Sequence, residues 1–289
     1  MRWSAGDRGN IEDMRGRSAR GGGMVPLGIG GFIVVALLSM FTGVDFFSML
    51  GGGGSPAPSS GSVGTSGSGE VKTTPAEERM VDMVDAVARD AQSTWSEKLG
   101  GRYQPTKVVL FRDSIQSTCG YAGAATGPFY CPGDRKVYLD LGFFDELQRR
   151  FGASGDFAQA YVLAHEIGHH VQTITGTEGQ MRQMQRSDPG SANAMSVRLE
   201  LQADCYAGVW GHDAAQTGRA ASGGVELDPG DLEEALNAAA AIGDDRLQKL
   251  GTGRVMPEKF THGSSEQRRT WFKRGFDSGD PRACDTFGR

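Results

Sequence analysis

The sequence lacks an excess of basic residues, and it lacks any Cys-x-x-Cys pair. It has 30 Lys and Arg against 35 Asp and Glu, which gives a net charge of -5 and a pI near 5.6. A nucleic-acid-binding surface needs a basic face, so this balance argues against nucleic acid as a partner. Without a Cys-x-x-Cys pair, the four cysteines indicate neither a thioredoxin-like redox site nor a zinc ribbon.

Hydrophobic residues are also sparse, at 38%, whereas glycine is abundant, at 44 residues. Much of this glycine precedes residue 70, so both features have a local origin. Charge is absent from Gly21 to Val44, and this run is long enough to cross a hydrocarbon core of about 30 Å. The sequence therefore predicts a membrane-spanning segment at 24–44, and a cleaved signal peptide is the alternative.

The flanks of this run predict how the chain is arranged. Arginines precede the predicted span, so we expect residues 1–23 to be a cytoplasmic tail and everything after the span to lie outside. Residues 45–74 are rich in Gly, Ser and Pro, which is typical of a flexible linker. Residues 75–289 are long enough to bury a core. We expect a single-pass protein of the cell membrane with an extracytoplasmic folded domain, and its oligomeric state stays open.

The folded domain shows few strands early and many helices late. A helix is predicted over 75–99, and β-branched runs predict strands at 106–111 and 137–141. The polar segment 176–191 is predicted as a loop that borders a cleft. Further helices are predicted at 143–151, 156–175, 192–213, 230–249 and 264–277. The pattern indicates an α+β fold, with a small mixed or antiparallel sheet and a mainly helical core.

A metal-binding pattern lies in the predicted helix 156–175. His165 and His169 are four residues apart, about 400° of helical rotation, so both imidazoles project from one face. Two nitrogens at that separation can share a zinc ion, and Glu166 lies about 100° around the helix, where it can take a proton from bound water. The alternative is a chance match on an ordinary helix.

Zinc with two histidines needs a third protein ligand. The metzincin pattern would place a histidine where this chain has Thr175, so that variant is excluded. Glu200 and Asp204 have the same four-residue spacing on another predicted helix with apolar flanks. We expect Glu200 to be the third ligand and Asp204 to accept the free N–H of a ligand histidine. A solvated acidic helix face is the alternative.

Together, these motifs resemble known zinc enzymes. His-Glu-x-x-His followed by Glu-x-x-x-Asp is similar to the gluzincin arrangement of zincin metallopeptidases. A wider set of motifs resembles the bacterial neutral zinc metallopeptidases (YpfJ-like) over nearly the whole chain: Cys119-Gly-Tyr-Ala, Gly127-Pro-Phe-Tyr-Cys-Pro, Val137-Tyr-Leu-Asp-Leu, His165-Glu-Ile-Gly-His-His-Val-Gln, Glu200-Leu-Gln-Ala-Asp-Cys-Tyr-Ala-Gly-Val-Trp and Thr261-His-Gly-Ser-Ser-Glu-Gln-Arg. The resemblance implies a zincin-like fold, one Zn²⁺ per chain, and a peptide or protein substrate.

Three protein ligands leave a fourth zinc position for water, which is the catalytic pattern. Glu166 is the expected general base, and His262, just before the last helix, is the candidate that stabilises the oxyanion. Tyr138 and Tyr161 are weaker candidates for that role. Arg268 and Arg269 are candidates for holding a substrate carboxylate, and solvated helix charges are the alternative. A non-catalytic, zinc-stabilised extracytoplasmic binding module and an amidase acting on cell-wall peptides are the alternative functions.

Outside the membrane the four cysteines can oxidise. Cys119 and Cys131 flank a loop that contains Gly and Pro, which favours a bridge between them and leaves Cys205 to Cys284. Four cysteines allow three connectivities, so the other pairings stay open. The strand Val137–Leu141 is a candidate sheet edge that receives an extended peptide, and an ordinary strand is the alternative.

Overall fold

The structure is a computed structural model that describes residues 1–16, 71–123 and 126–288. In these ranges the α-helices are α1 (Pro75–Leu99), α2 (Gly142–Phe151), α3 (Asp156–Ile174), α4 (Thr177–Ser187), α5 (Ala192–Ala214), α6 (Asp231–Ala241), α7 (Asp244–Thr252) and α8 (Ser265–Ser278). The strands are β1 (Ile11–Asp13), β2 (Lys107–Phe111), β3 (Ser114–Ser117), β4 (Gly120–Gly123), β5 (Phe129–Cys131) and β6 (Lys136–Asp140).

The strands form a small mixed sheet and a hairpin. The sheet order is β1-β2-β6-β5, in which β1, β2 and β6 are parallel and β5 is antiparallel to β6, while β3 and β4 pair separately. The predicted α+β class with a small mixed sheet is therefore confirmed. The expectation that Val137–Leu141 is a sheet edge is wrong, because β6 has β2 on one side and β5 on the other.

Local sequence signals determine where helix α1 begins and which face it buries. Thr74 caps its start by accepting a hydrogen bond from the backbone N–H of Glu77 at 3.2 Å, and Pro75 occupies the first turn, where no N–H is needed. One face, including Val84 and Trp95, is buried in the main core. That core also contains side chains from β2, β6 and helices α2, α3, α5, α6 and α8.

Helices α3 and α5 approach closely at a glycine. A Cβ built on Gly168 would lie 3.0 Å from the carbonyl oxygen of Ala203 and 3.2 Å from its Cα atom. The mid-helix glycine costs roughly 1 kcal/mol relative to alanine, and this contact between backbones explains its presence. The close approach brings the two helices that carry the histidines and the acidic pair side by side.

Two disulfides tie the domain together, and they follow the expected pairing. Cys119 is bonded to Cys131, and Cys205 on α5 is bonded to Cys284 near the C-terminus, 79 residues away. The second bridge fixes the C-terminal segment to the helix that carries Glu200.

One loop prediction and one helix prediction need correction. The segment 176–191 is mostly helical, because α4 begins after Gly176 and buries Met181 against the domain. The predicted helix 230–249 is two helices, since α6 ends at Ala241 and α7 starts at Asp244. Gly243 lies directly against the backbone of Ser265 at this break, which leaves no room for a side chain.

The predicted boundary of the N-terminal tail is wrong for residues 1–16. Strand β1 pairs with β2, and the side chains of Met1, Trp3 and Ile11 pack against the main core, so these residues belong to the folded domain. The predicted span at 24–44 and nearly all of the predicted linker lie outside the described residues. Among the helices described, none combines the length and apolar character that a membrane crossing requires.

Candidate metal centre

Helices α3 and α5 bring three donor side chains together. The Nε2 atoms of His165 and His169 are 3.1 Å apart, and the Glu200 carboxylate lies 3.3 Å from the first and 3.5 Å from the second. For bonds of about 2.1 Å, a tetrahedral metal ion separates its ligand atoms by about 3.4 Å. The spacing of these three donors therefore fits one tetrahedral ion, and two imidazoles with one carboxylate suit zinc.

Asp204, one turn after Glu200, holds the far side of His165. Its Oδ1 lies 2.8 Å from Nδ1 of His165 and accepts a hydrogen bond from the Tyr161 hydroxyl at 2.5 Å. Both side chains of this Asp204–His165 pair are nearly inaccessible to solvent. A carboxylate on Nδ1 fixes the proton there and turns Nε2 towards a metal ion. The structure thus places Asp204 where the spacing predicted it.

His169 is oriented by an amide, a contact that the sequence analysis missed. Its Nδ1 lies 2.8 Å from Oε1 of Gln172, whose Nε2 donates to the backbone carbonyl of Leu199 at 2.7 Å. This chain of contacts links His169 to the turn of α5 that precedes Glu200. The available signal was position, because a residue three places after a ligand histidine lies on the same helix face.

The side chain of Arg268 is buried and is paired with Asp204 of α5. It is 2% exposed, and its guanidinium donates two hydrogen bonds to Asp204, at 2.8 and 2.9 Å. It lies in the first turns of α8, whose start is fixed by a capping box between Ser264 and Gln267. The expectation that Arg268 holds a substrate carboxylate is wrong, because Asp204 already engages its donors.

The carboxylates around His165 favour a positive charge on its imidazole ring. Burial lowers the pKa of His165, but the carboxylates of Asp204 and Glu200 outweigh this effect and raise it to about 9. Burial raises the pKa of Glu200, and the neighbouring imidazoles overcome that effect and hold it well below its usual range. The carboxylates are thus ionised, which is the state that a metal ligand requires.

Glu166 differs from the other two acids. It is 8% exposed, and among the residues that the structure describes its carboxylate has no hydrogen-bond or ion-pair partner. Nearly buried carboxylates usually have partners, because desolvating an unpaired charge is costly. Glu166 directly follows the donor His165 in α3, and its carboxylate is left free of partners within the described residues.

His262 is held in a loop against α5. Gly263 lies against Val197 and Leu201, the residues that flank Glu200 on that helix. Asp244 accepts hydrogen bonds from the backbone N–H groups of residues 261, 262 and 263, and its Oδ1 lies 3.2 Å from Nδ1 of His262. Burial lowers the pKa of His262, but Asp244 and Glu200 outweigh it and raise that pKa above its usual value. The sequence analysis missed Asp244, because this residue falls inside the single helix predicted over 230–249 and nothing in the sequence marks it.

The two tyrosine candidates have hydrogen-bond partners of their own, and so does His170, which follows His169 in the chain. The Tyr161 hydroxyl donates to Asp204, and the Tyr138 hydroxyl donates to Asp134 at 2.7 Å. His170 is fully buried, with Nε2 2.6 Å from the carbonyl oxygen of Gln104. Of these side chains, Tyr161 borders the donor cluster, because its ring centroid lies 6.2 Å from that of His165 while its hydroxyl is held by Asp204.

A second acidic cluster has a cation of its own. Asp156, Asp231 and Glu234 bring carboxylate oxygens within 4.8 Å of one another. The α-ammonium of Met1 lies 3.0 Å from Asp156 and 3.2 Å from Asp231, so these carboxylates form ion pairs within the fold.

Comparison with known proteins extends the likeness over the whole chain. A family described as "Putative neutral zinc metallopeptidase" matches residues 1–287. The chain is 46% identical to "Uncharacterized protein YpfJ" of Escherichia coli (strain K12), over 100% of this chain and 99% of that protein. It is 45% identical to "Uncharacterized protein Rv2575" of Mycobacterium tuberculosis (strain ATCC 25618 / H37Rv), over 71% of this chain and 69% of that protein. No solved structure matches the chain.

Proposed function

The chain belongs to the neutral zinc metallopeptidase family, and on that premise we propose that it hydrolyses peptide bonds at a zinc site formed by His165, His169 and Glu200. The donor set and its spacing support this choice of ligands. When bound there, zinc supplies a Lewis acid and brings the pKa of a bound water to about 7. Peptide or protein chains are the proposed substrates.

The observation that carries the proposal is the nearly buried and unengaged carboxylate of Glu166, the residue that follows the donor His165. A purely structural zinc site is closed by four protein ligands and has no use for a free acid next to it. A hydrolytic site needs a general base that can accept a proton from water and then donate it to a leaving amine. Glu166 is 8% exposed, so its carboxylate is largely shielded from bulk water.

His262 is proposed as the donor that stabilises negative charge on the carbonyl oxygen of the substrate. Its Nδ1 faces Asp244 and Thr261, and Nε2 has no hydrogen-bond partner within the described residues. With the proton held on Nδ1 by Asp244, a second proton on Nε2 is favoured by the raised pKa of His262. A preorganised donor of this kind contributes on the order of 10²–10³ in kcat.

The test compares the full-length wild type with Glu166→Gln. Glutamine keeps the size of the side chain and removes its basicity, so bound zinc should be unchanged. Cleavage of casein or of a fluorogenic peptide library should fall by about 10²-fold or more. Zinc is measured by mass spectrometry of the dialysed protein, and cleavage by initial rates.

Two further variants complete the design. Glu233→Gln changes an exposed acid on α6, so it should keep both zinc and activity. Glu200→Ala should lose zinc, because only two protein donors would remain. If the wild type, with zinc bound, cleaves nothing across the library, the peptidase proposal fails. Cleavage of peptidoglycan peptides alone would then identify an amidase, and binding without any cleavage would identify a non-catalytic module.

A further inference from the structure

The N-terminal segment, defined here as residues 1–16, is held to the rest of the domain by its arginines. Arg15 is 6% exposed, and its guanidinium lies 2.8 Å from Glu77 and 3.2 Å from Glu78 of α1. Arg8 pairs with the same helix, at 2.6 Å from Glu78 and 2.7 Å from Asp82. The first turns of α1 therefore present an acidic face that two arginines of the segment cover.

A third arginine anchors the other end of the segment. Arg2 pairs with Glu226 at 2.7 Å and with Asp228 at 2.9 Å. Its backbone exchanges two hydrogen bonds with Glu226, at 2.7 and 2.9 Å, which makes a short antiparallel bridge. Charged and backbone contacts therefore fix the same residue.

Backbone pairing adds contacts in the middle of the segment. Strand β1 forms an edge of the sheet beside β2, in the register Ile11–Val108. The backbone N–H of Val108 donates to the carbonyl of Asn10 at 2.9 Å, and that of Met14 donates to Leu110 at 2.8 Å. The segment thus covers backbone groups of β2 that would otherwise form an open edge.

Asn10 also completes a buried polar chain. Its backbone and side-chain amides both donate to Asp85, at 3.2 Å, and its side-chain oxygen accepts from Gln92 at 3.0 Å. Asp85 is 0% exposed and Gln92 is 6% exposed. Gln92 in turn accepts the backbone N–H of Thr106, just before β2, at 2.8 Å. Buried polar groups need such partners, and Asn10 supplies them here.

From these contacts we propose that residues 71–288 form a permanent docking surface for residues 1–16, which stay bound when the connection between them is cut. Both parts then lie in one compartment. Ion pairs of 2.6–3.2 Å cannot bridge a hydrocarbon core of about 30 Å. If residues 1–16 are docked on the domain, the chain therefore does not cross a membrane once between residues 16 and 71. Two of the arginines on which the predicted cytoplasmic tail rested, Arg8 and Arg15, serve instead as anchors to the acidic face of α1.

The first experiment cuts the full-length protein. One protease site is introduced within residues 17–23 and another within 51–70, so that cleavage separates the apolar run from the N-terminal peptide. After cleavage, gel filtration and mass spectrometry follow the peptide. We expect the peptide to elute with the domain at moderate ionic strength. Elution of the wild-type peptide as a free species would overturn the proposal.

Charge variants make the same experiment specific. Arg15→Gln removes a buried, charge-assisted contact, so the affinity of the peptide for the domain should fall on the order of tenfold. Arg149→Gln is the matched control, because that arginine is exposed and, within the described residues, its ion pair is with Asp145 of the same helix. Equal retention for both variants would show that the arginine contacts do not hold the segment.

The second experiment reads the compartment in intact cells. Residues 2 and 226 form a hydrogen-bonded antiparallel pair, whose Cα atoms lie about 5.5 Å apart, within disulfide range. Arg2→Cys combined with Glu226→Cys should therefore form a third disulfide beside the two native ones, detected by non-reducing peptide mapping after alkylation of the cells. Two intact native disulfides with both new cysteines unpaired would place the parts in different compartments and refute the proposal.

Discussion

Asp204→Asn tests how the buried charges support the metal centre. Asp204 is 0% exposed and accepts hydrogen bonds from Tyr161 and Arg268, and it faces Nδ1 of His165. Asparagine has nearly the same shape but no charge, and its amide nitrogen is a donor where each of these partners presents a donor. The variant therefore leaves the guanidinium of Arg268, 2% exposed, without its counter-charge.

The size of the effect follows from burial. Removing one partner of a buried ion pair costs about 3–5 kcal/mol, because the remaining charge is desolvated and uncompensated. Loss of the carboxylate that orients a ligand histidine weakens metal affinity by about 10–100-fold. We therefore expect Asp204→Asn to lower both the free energy of unfolding and the affinity for zinc.

The assays separate the two effects. Urea unfolding with and without chelator gives the free energy of unfolding, and competition with a zinc chelator gives affinity. Asp90→Asn is the matched control, since Asp90 is also buried and accepts hydrogen bonds from Trp210 at 2.8 Å and Arg219 at 3.2 Å, away from the zinc donors. It should destabilise the fold without changing zinc affinity. Wild-type zinc affinity in Asp204→Asn would refute the role of Asp204 in orienting His165.

Three further predictions follow from packing, cross-linking and charge. Gly168→Ala should cost about 1–3 kcal/mol in urea unfolding, because its Cβ would lie 3.0 Å from the Ala203 carbonyl, whereas Gly179→Ala, with nothing within 4 Å, should be neutral or stabilising. Replacing Cys205 and Cys284 by Ser should cost about 4 kcal/mol, since their bridge closes 79 residues, and zinc content measured at low temperature should be unchanged. Hydrogen bonds from Arg8 lower the pKa of Glu78 below its ordinary value of 4.5. The contact between Arg8 and Glu78 therefore stabilises docking fully above pH 4.5, and this stabilisation is lost as the pH falls through the lower pKa of the docked state. The cleaved N-terminal peptide should therefore stay bound from about pH 8 to about pH 5 and dissociate only as the pH falls below the ordinary pKa of Glu78, as gel filtration would show.

The sequence predicted the parts of the fold and site that depend on local geometry. Four-residue spacing on a helix decides which side chains share a face, so His165 with His169, and Glu200 with Asp204, were identified without knowing how the helices pack. The positions of α1 and α5 followed from their patterns in the same way.

Long-range partners could not be predicted in this way. Arg268 looks like a solvated helix charge until α8 packs against α5 and buries it beside Asp204. Asp244 falls inside the predicted helix 230–249, and its contact with His262 spans 18 residues. The arginines of the N-terminal segment are compatible with a membrane-flanking tail, and only the folded contacts with Glu78 and Glu226 show another use. In each case the deciding partner is distant in the chain.

The charges near the donor cluster also favour binding of a metal ion. Glu200 and Asp204, together with Glu166 next to His165 in the chain, contribute three acidic side chains that are largely buried, and Arg268 supplies one buried positive charge. A dication would bring this group to neutrality, which is the condition under which buried charges are tolerated. The same excess of negative charge raises the pKa of His165 to about 9, so a proton and a metal ion compete for one position. The chelator titration of Asp204→Asn therefore measures this balance as well as the orientation of the ring, because the variant removes one of the charges that attract the ion.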